Sequence, residues 1–399
     1  MINNIKKRFP VFKQQPNLVF LDTAASALKV DTMIDSITKC YSYEYANIHR
    51  GIYELSSKLT KKYEDSRILV SKFINSPSSN NIIFTKSATE GINLVSSCLS
   101  NNYFQDGDEV LVTALEHHAN LVPWHLVSKK IKIVTADINS KGELKYDDLI
   151  EKINSKTKLI AITHMSNITG SITHLDEIKI KAKKFNIPIL IDGCQFVPHK
   201  KLDIKEIDPD FYVFSAHKLY GPSGLGVLYM KDFWITKLGP YQGGGSMIKD
   251  VETDSSTYLD DNHKFEAGTP PIAEVIGLSS SIDFINEVGI ENIYSYENEL
   301  TNYAYDKMKT NSDVNIYGDF KNQTSIISFN INGVHFNDLA MLLDKKNIAI
   351  RTGHHCAQPF MKFFNISGNA RMSVGIYNTK DDIDYFIKSL DEVKMLLKK

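Results

Sequence analysis

Cys356 stands in a stretch unlike the rest of the chain: Arg351-Thr352-Gly353-His354-His355-Cys356-Ala357-Gln358-Pro359 puts one arginine and two histidines within five residues of a single thiol. Positive neighbours favour the thiolate, and the thiolate is the form that attacks. Gly353 lets the backbone turn, and Pro359 suits the first turn of a following helix. The pattern reads as a loop presenting a reactive sulfur, and it equally suits a buried cysteine beside structural histidines.

Other residue types point to a second component of chemistry. Lys218 lies in Phe214-Ser215-Ala216-His217-Lys218-Leu219-Tyr220-Gly221-Pro222, where an apolar run gives way to a Gly/Pro turn. In open α/β sheets the carboxyl ends of strands face the ligand crevice. A lysine there can form a Schiff base if its surroundings lower its pKa, whereas most lysines are solvated surface charges. Asp192 closes the run Ile187-Pro188-Ile189-Leu190-Ile191, and Gln195 follows. A strand-end carboxylate can keep the pyridine nitrogen of pyridoxal phosphate protonated, which makes that ring an electron sink; it can also merely cap a helix. A strand-end Asp followed by a strand-end Lys says more than either alone.

Thr85-Lys86-Ser87-Ala88-Thr89-Glu90-Gly91 is a hydroxyl-rich turn whose helix-start N–H groups can hold a phosphate. The same residues make a capping box, Ser87 to Glu90, and both readings can hold together. In Glu116-His117-His118 one histidine could stack on a planar ring and move protons, or be structural. Adjacent side chains point apart, which argues against a shared metal, and no metal site is expected. Arg371, in Asn369-Ala370-Arg371-Met372-Ser373, is of the type that clamps a carboxylate in bidentate fashion, though an isolated arginine is more often a surface charge.

These residues need a scaffold. Strand-like runs at 81–85, 109–113, 132–136, 158–164, 187–192, 211–215 and 226–230 are interspersed with helical patterns at 89–99, 121–130 and 176–184. That order predicts βαβ units and a mostly parallel sheet covered on both faces. Ile160-Ala161-Ile162 and Ile189-Leu190-Ile191 lack alternation, as strands buried on both sides do. Beyond residue 271 the pattern changes to long helices at 272–288 and 291–309, strands at 325–330 and 371–374, and helices at 336–345 and 381–398, a smaller α+β region. Between the regions lie Gly243-Gly244-Gly245 and a polar stretch at 249–264, long enough to suggest a functional loop.

The chain has 399 residues, 42% of them hydrophobic and 23% charged, with a net charge of -1. The size suits two domains, and the charge balance gives no reason to expect nucleic acid or an anionic membrane as partner. No apolar run is long enough to span a bilayer, and no signal core follows Met1-Ile2-Asn3-Asn4-Ile5-Lys6-Lys7, so a cytoplasmic location is expected. Cys40, Cys98, Cys194 and Cys356 form no CxxC pair and read as free thiols in a reducing compartment.

Together the segments resemble the class V aminotransferase superfamily of fold-type I enzymes, and within it the SUF-type, group II, cysteine desulfurases and the similar selenocysteine lyases. The resemblance runs through Leu21-Asp22-Thr23-Ala24-Ala25, Asn47-Ile48-His49-Arg50-Gly51, Ala88-Thr89-Glu90-Gly91-Ile92-Asn93, Glu116-His117-His118-Ala119-Asn120, His164-Met165-Ser166-Asn167, Asp192-Gly193-Cys194-Gln195, Ser215-Ala216-His217-Lys218, Phe265-Glu266-Ala267-Gly268-Thr269-Pro270 and the cysteine motif, whose Arg-x-Gly-His-His-Cys form is that of group II. It implies a large domain over 21–285 with a mostly parallel seven-stranded sheet between helices. A small domain would join 1–20 to 286–399 and carry the Cys356 loop.

The resemblance also implies pyridoxal 5'-phosphate as cofactor, with Lys218 as its Schiff-base lysine. Asp192 would face the pyridine nitrogen, Gln195 the phenolic oxygen and His117 the ring. Thr89, Ser215 and His217, with Ala88 beside them, would hold the phosphate, and Thr269 would reach it from the second subunit of a homodimer. Asn167 would touch cofactor or substrate, Arg371 the substrate carboxylate, and Arg351 the substrate or the cysteine loop. Cys356 would take sulfur from L-cysteine, leaving L-alanine, and pass it to a SufE-like or SufU-like acceptor for iron–sulfur cluster assembly. Selenocysteine lyase, an aminotransferase or kynureninase-like enzyme, and a non-enzymatic scaffold are the rival readings. Two departures stand out: Ala88 occupies a position where many relatives carry a second threonine, and Pro271-Ile272-Ala273 is an unusual continuation after Gly268-Thr269-Pro270.

Overall fold

The computed structural model describes residues 2–319 and 324–397. Seven strands form its main sheet: β1 Ile82–Thr85, β2 Asp108–Thr113, β3 Ile131–Ala136, β4 Thr157–Thr163, β5 Ile189–Asp192, β6 Phe211–Ser215 and β7 Gly226–Met230. Their order is β1-β7-β6-β5-β4-β2-β3. All neighbours are parallel except β7, which runs against both β1 and β6. The expected α/β architecture with a mostly parallel seven-stranded sheet is therefore the one the chain adopts.

The apolar runs explain why the sheet is sandwiched. Along β5 and β6, Ile189, Ile191, Tyr212 and Phe214 enter one hydrophobic cluster, while Leu190, Phe211 and Val213 enter another on the opposite face. Side chains alternate across a strand, so an unbroken apolar run requires cover on both faces. One face is covered by helix α2 Ala88–Asn102 through Ile92, Val95 and Leu99. The other cluster includes the largely buried helix α3 Ile272–Val288, which packs on helix α1 Glu54–Phe73. Gly277 permits a close approach of α3 to the separate helix Asp31–Lys39, since a Cβ would meet Ile37 at 2.8 Å.

Because β2, β4, β5 and β6 are parallel, their carboxyl ends share one edge. The segments leaving that edge carry Glu116 and His117, Asn167, Asp192 and Gln195, and Ser215 to Lys218. A second sheet, antiparallel throughout, has strands β8 Val314–Tyr317, β9 Ile326–Ile331, β10 Arg351–Gly353 and β11 Asn369–Ser373 in the order β8-β9-β11-β10. Helices α4 Ile290–Met308 and α6 Lys380–Leu397 pack together beside it. Phe9, near the amino end, sets its ring against Tyr220, Phe284 and Tyr377, tying together segments far apart in sequence.

Several element ends differ from expectation. The helix expected over 121–130 is only Val122–Leu126, because Val127 to Lys130 turn back to begin β3 beside β2. The polar stretch after Gly245 is partly ordered: Ile248–Val251 and Ser256–Tyr258 form an exposed hairpin, and Asn262–Phe265 a 3-10 turn. The last residue of the helix expected over 381–398 lies outside the described residues.

One buried ion pair fastens this segment to the sheet. Arg67 Nη1 and Nη2 reach Glu266 Oε1 and Oε2 at 2.7 and 2.9 Å. Glu266 Oε1 also accepts the Phe84 N–H of β1 at 2.7 Å. Arg67→Met leaves that carboxylate buried without its partner, so a loss of about 3–5 kcal/mol is expected in urea unfolding. The double variant Arg67→Met/Glu266→Gln should recover much of it.

Candidate active site

One cavity at the carboxyl edge of the main sheet collects Ala88, Thr89, His117, Asn167, Asp192, Gln195, Ser215, His217, Lys218, Arg351, Cys356 and Arg371. Of the residues to which the resemblance gave a role, Thr269 lies elsewhere, lining a separate pocket with Lys86 and Tyr241.

Lys218 ends the 3-10 turn Ala216–Lys218 directly after β6. The turn is braced from outside: Lys29 Nζ donates to the His217 carbonyl at 2.9 Å, and the Ala27 N–H to the same oxygen at 3.1 Å. Lys218 makes no ion pair among the described residues, so its amine faces the cavity uncommitted. Asp192 closes β5, and its Oδ1 accepts the Cys194 N–H at 2.9 Å. Between them Gly193 is obligatory, for a Cβ would sit 2.1 Å from the Tyr212 ring. Gln195 Nε2 donates to the Ala24 carbonyl at 2.7 Å.

The start of α2 faces the same cavity. Ser87 Oγ accepts the Glu90 N–H at 3.2 Å, the first half of the expected capping box, while Glu90 Oε2 takes the Lys86 N–H at 2.6 Å instead of that of Ser87. The Ala88 N–H donates to Ser215 Oγ at 2.9 Å, joining helix start to strand end. A Cβ on Gly226 would come within 2.3 Å of the Ser87 carbonyl carbon, so this approach exists only because residue 226 is glycine. Thr89 and Ser215 hydroxyls and the His217 imidazole thus border a helix N-terminus, a donor set suited to phosphate.

His117 Nδ1 accepts the Ala119 N–H at 3.0 Å, which places the neutral ring's proton on Nε2. Burial, with the Lys218 charge, lowers the His117 pKa to about 4. The ring is therefore neutral at neutral pH and able to stack. Beneath it Glu116 is fully buried, accepting from Thr113 Oγ1 and Asn120 Nδ2 at 2.6 Å each and from the Thr163 N–H at 3.1 Å. Burial raises the Glu116 pKa to about 8 from an ordinary 4.5. The unfolded chain releases this proton near the ordinary value while the fold keeps it. Its contribution to stability is complete below 4.5 and lost as pH rises to about 8. Wild-type protein should lose more stability than Glu116→Gln between pH ~6 and ~9. Parallel urea midpoints across that range would refute the assignment.

Arg371, in β11, is 2% exposed. Its Nη1 donates to the Asn167 carbonyl at 2.8 Å, its Nη2 lies 3.4 Å from Asp22 Oδ1, and its buried Nε has no partner. Burial lowers its pKa to about 10, so it remains a cation at neutral pH. The Nε–Nη2 edge is the side on which a carboxylate can be received in bidentate fashion. Arg351 faces Arg371 across the β10–β11 pair. Asp22 feels both charges, although burial outweighs them and raises its pKa.

The cysteine loop is pinned. Residues 354–357 lie between β10 and the helix α5 Gln358–Phe363. Gly353, His355 and Cys356 take φ values of 109°, 49° and 57°, two of them unfavourable for side chains of their kind. The strain is held by the main chain: the His118 N–H donates to the Cys356 carbonyl and Asn167 Nδ2 to the His355 carbonyl, both at 2.7 Å. The charge environment of the thiol differs from the sequence expectation. His355 is 5% exposed, its Nε2 is 2.7 Å from Asn369 Oδ1, and burial, with Arg371 nearby, lowers its pKa to about 3. It is a neutral strut rather than a cation. Arg371 is the buried cation whose charge interacts with Cys356.

Sequence reasoning missed Asp22, Lys29, Glu116 and Cys194 as contributors. Cys194 lines the cavity as a second thiol, and burial raises its pKa. Its place two residues after Asp192 was the available signal. Asp22 lay in the quoted Leu21–Ala25 motif without being given a role, and Lys29 acts from a segment without local chemical pattern.

The aminotransferase class-V family model matches residues 19–386. Among curated relatives, the cysteine desulfurase of Wigglesworthia glossinidia brevipalpis is 43% identical, covering 100% of this chain and 98% of the relative. The cysteine desulfurase of Serratia proteamaculans (strain 568) is 40% identical, covering 99% of each. Among solved structures, the cysteine desulfurase CsdA in an S-sulfonic acid form from Escherichia coli superposes with a TM-score of 0.93 at 34% identity over 99% of both chains. The apo cysteine desulfurase of Thermococcus onnurineus NA1 gives 0.94 at 32% identity, covering 99% of this chain and 98% of that one. With this cavity at the carboxyl edge of such a sheet, the chain belongs to the class-V aminotransferase family, as a homologue of cysteine desulfurases.

Proposed function

We propose that the chain is a pyridoxal-phosphate-dependent cysteine desulfurase that converts L-cysteine to L-alanine and keeps the sulfur as a persulfide on Cys356. The observation carrying this reading is that one cavity unites an uncommitted lysine, a strand-end carboxylate, an arginine whose buried Nε has no partner and a thiol on a fastened loop. The donor set fits the cofactor: hydroxyls at the start of α2 for the phosphate, Asp192 for the pyridine nitrogen, neutral His117 for the ring face and Lys218 for the aldehyde. When bound, pyridoxal phosphate supplies an electron sink that makes the substrate's Cα proton removable.

Each residue then has a defined task. Arg371 receives the substrate carboxylate on its Nε–Nη2 edge and sets the orientation of the cysteine. Lys218 removes the Cα proton as a general base and returns protons later. Cys356 as thiolate attacks the substrate sulfur, so a sulfur–sulfur bond forms as the substrate carbon–sulfur bond breaks. The electron pair of that bond stays with carbon, and a proton converts the carbon to the methyl group of alanine. Arg371→Lys keeps the charge but removes the paired donors. A KM for cysteine higher by about 10- to 100-fold is expected, with kcat less affected, given about 1.5–3 kcal/mol for a charged hydrogen bond.

The assay that tests the reading measures alanine and sulfide from L-cysteine with a thiol reductant, and selenide from L-selenocysteine in parallel. Activity on selenocysteine alone would move the assignment to a selenocysteine lyase. The short Arg351-x-Gly353-His354-His355-Cys356 segment supports the SUF-type group II subclass. Delivery of sulfur to a SufE-like or SufU-like acceptor in the cytoplasm, for iron–sulfur clusters, belongs to the same proposal. So does a large unit over 21–285 with a small unit from 1–20 and 286–399. A homodimer is supported by the exposed Tyr41, Tyr43, Tyr45, Ile52 and Tyr53, which cluster in one short segment, and by Thr269 lying outside its own chain's cavity. Among the described residues no helix is long and apolar enough to cross a membrane.

A further inference from the structure

Away from the cavity, three side chains from separate segments converge. His49 lies in the stretch before α1, Glu64 on α1, and His263 in the 3-10 turn Asn262–Phe265. Their ligand-type atoms all lie within 4.8 Å of one another. His49 Nε2 is 2.9 Å, and His263 Nε2 3.8 Å, from Glu64 Oε1. Bonds of about 2.0–2.2 Å in a tetrahedral zinc site place the ligand atoms roughly 3.3 Å apart. The spacings of 2.9 and 3.8 Å bracket that value, and the third is no more than 4.8 Å.

The surroundings orient each ligand. Arg67 Nε holds Glu64 Oε2 at 3.0 Å, which turns Oε1 towards the imidazoles. His263 Nδ1 is 3.2 Å from Asp261 Oδ1, so Nε2 is the nitrogen left for a ligand. A carboxylate behind the far nitrogen is the usual outer support of a metal-bound histidine. His49 has a left-handed backbone, φ 69°, and its ring stands edge-on to both His263 and Tyr63 at 5.8 Å. Glu64, Asp261 and Glu266 bring three negative charges to the cluster, against Arg67 and, beside Asp261, Lys264. All three candidate ligand side chains are about a third exposed in the single chain.

We propose that His49, Glu64 and His263 form a divalent-cation site of the zinc class, with Asp261 orienting His263 and water completing the coordination. Two imidazole nitrogens and one carboxylate oxygen are a zinc-type donor set. The ion replaces the proton shared between His49 and Glu64. It joins the stretch before α1, α1 itself and the segment that runs through Glu266 to Thr269. None of its residues lines the catalytic cavity of its own chain.

The test uses the full-length holoprotein, stripped with a chelator and dialysed against micromolar zinc chloride. One zinc per chain should be retained. Asp261→Asn should weaken binding by about 10-fold, and His49→Ala and His263→Ala by more. Zinc should raise the thermal midpoint of the wild type and not that of His263→Ala. Cobalt(II) should give the visible absorption of a tetrahedral nitrogen/oxygen site without a thiolate charge-transfer band. Melting of each variant without metal checks its fold, and His263→Gln serves as the conservative variant if His263→Ala melts early. Zinc retained by Cys356→Ser and lost by the His263 variants supports the site. Zinc lost by Cys356→Ser and kept by the His263 variants, or no saturable uptake by the wild type, overturns it.

Discussion

Cys356→Ser protein should purify with the absorbance of its bound cofactor and yet form persulfide from cysteine at least about 10³-fold more slowly, as expected for a lost nucleophile. Serine matches cysteine in shape, and the loop is held through the carbonyls of His355 and Cys356 rather than through the sulfur, so the pinned conformation survives the exchange. The hydroxyl, however, ionises too weakly to attack sulfur. Mass spectrometry of the protein after a short incubation with cysteine reads the result directly, through the gain of one sulfur atom in the wild type. Alanine production by Cys356→Ser at the wild-type rate would remove Cys356 from its role.

The second large effect concerns Lys218. In Lys218→Ala, kcat should fall by about 10⁴-fold or more, since a general base and the attachment point of the cofactor vanish together. Lys218 has no ion-pair partner among the described residues, so its removal strands no buried charge and the thermal midpoint should match that of the cofactor-free wild type. The absorbance of a lysine-bound cofactor should be absent from the dialysed variant. Added methylamine should restore a fraction of turnover by taking over the proton transfer. Undiminished activity would show that another base serves.

How far the sequence carried these assignments depends on the kind of residue. The strands around Asp192 and Lys218 were legible because burial on both faces demands unbroken apolar runs, and those runs end at the chemistry. Helix α1 was not legible. Its buried face is Ser56, Leu59, Tyr63, Ser66, Arg67, Val70 and Ser71, so helical spacing is present but half of the inward positions are polar. They are tolerated because Ser56 and Ser66 bond backbone carbonyls and Arg67 finds Glu266 from a distant segment. The cysteine motif was legible in type and misleading in charge: His355 looks cationic in sequence and is neutral in the fold because it is buried beside Arg371. Glu116 was passed over for its neighbour His117, since nothing local distinguishes a carboxyl that will be fully enclosed.

The two main-chain ties that hold residues 354–357 also govern how sulfur can leave. A sulfur carried on a swinging arm could seek its recipient, and its transfer rate would follow the arm's excursions. Here the amide of His118 and the side chain of Asn167 moor the arm to loops of the main sheet, so a sulfur carried on Cys356, as proposed, would wait at a fixed berth. The recipient must bring its own thiol to the mouth of the cavity, and the choice of recipient becomes a matter of which surface can dock there. On the proposed function, delivery to a protein would then depend on how well its surface fits the mouth of the cavity, while a small thiol reductant could still enter and release sulfide.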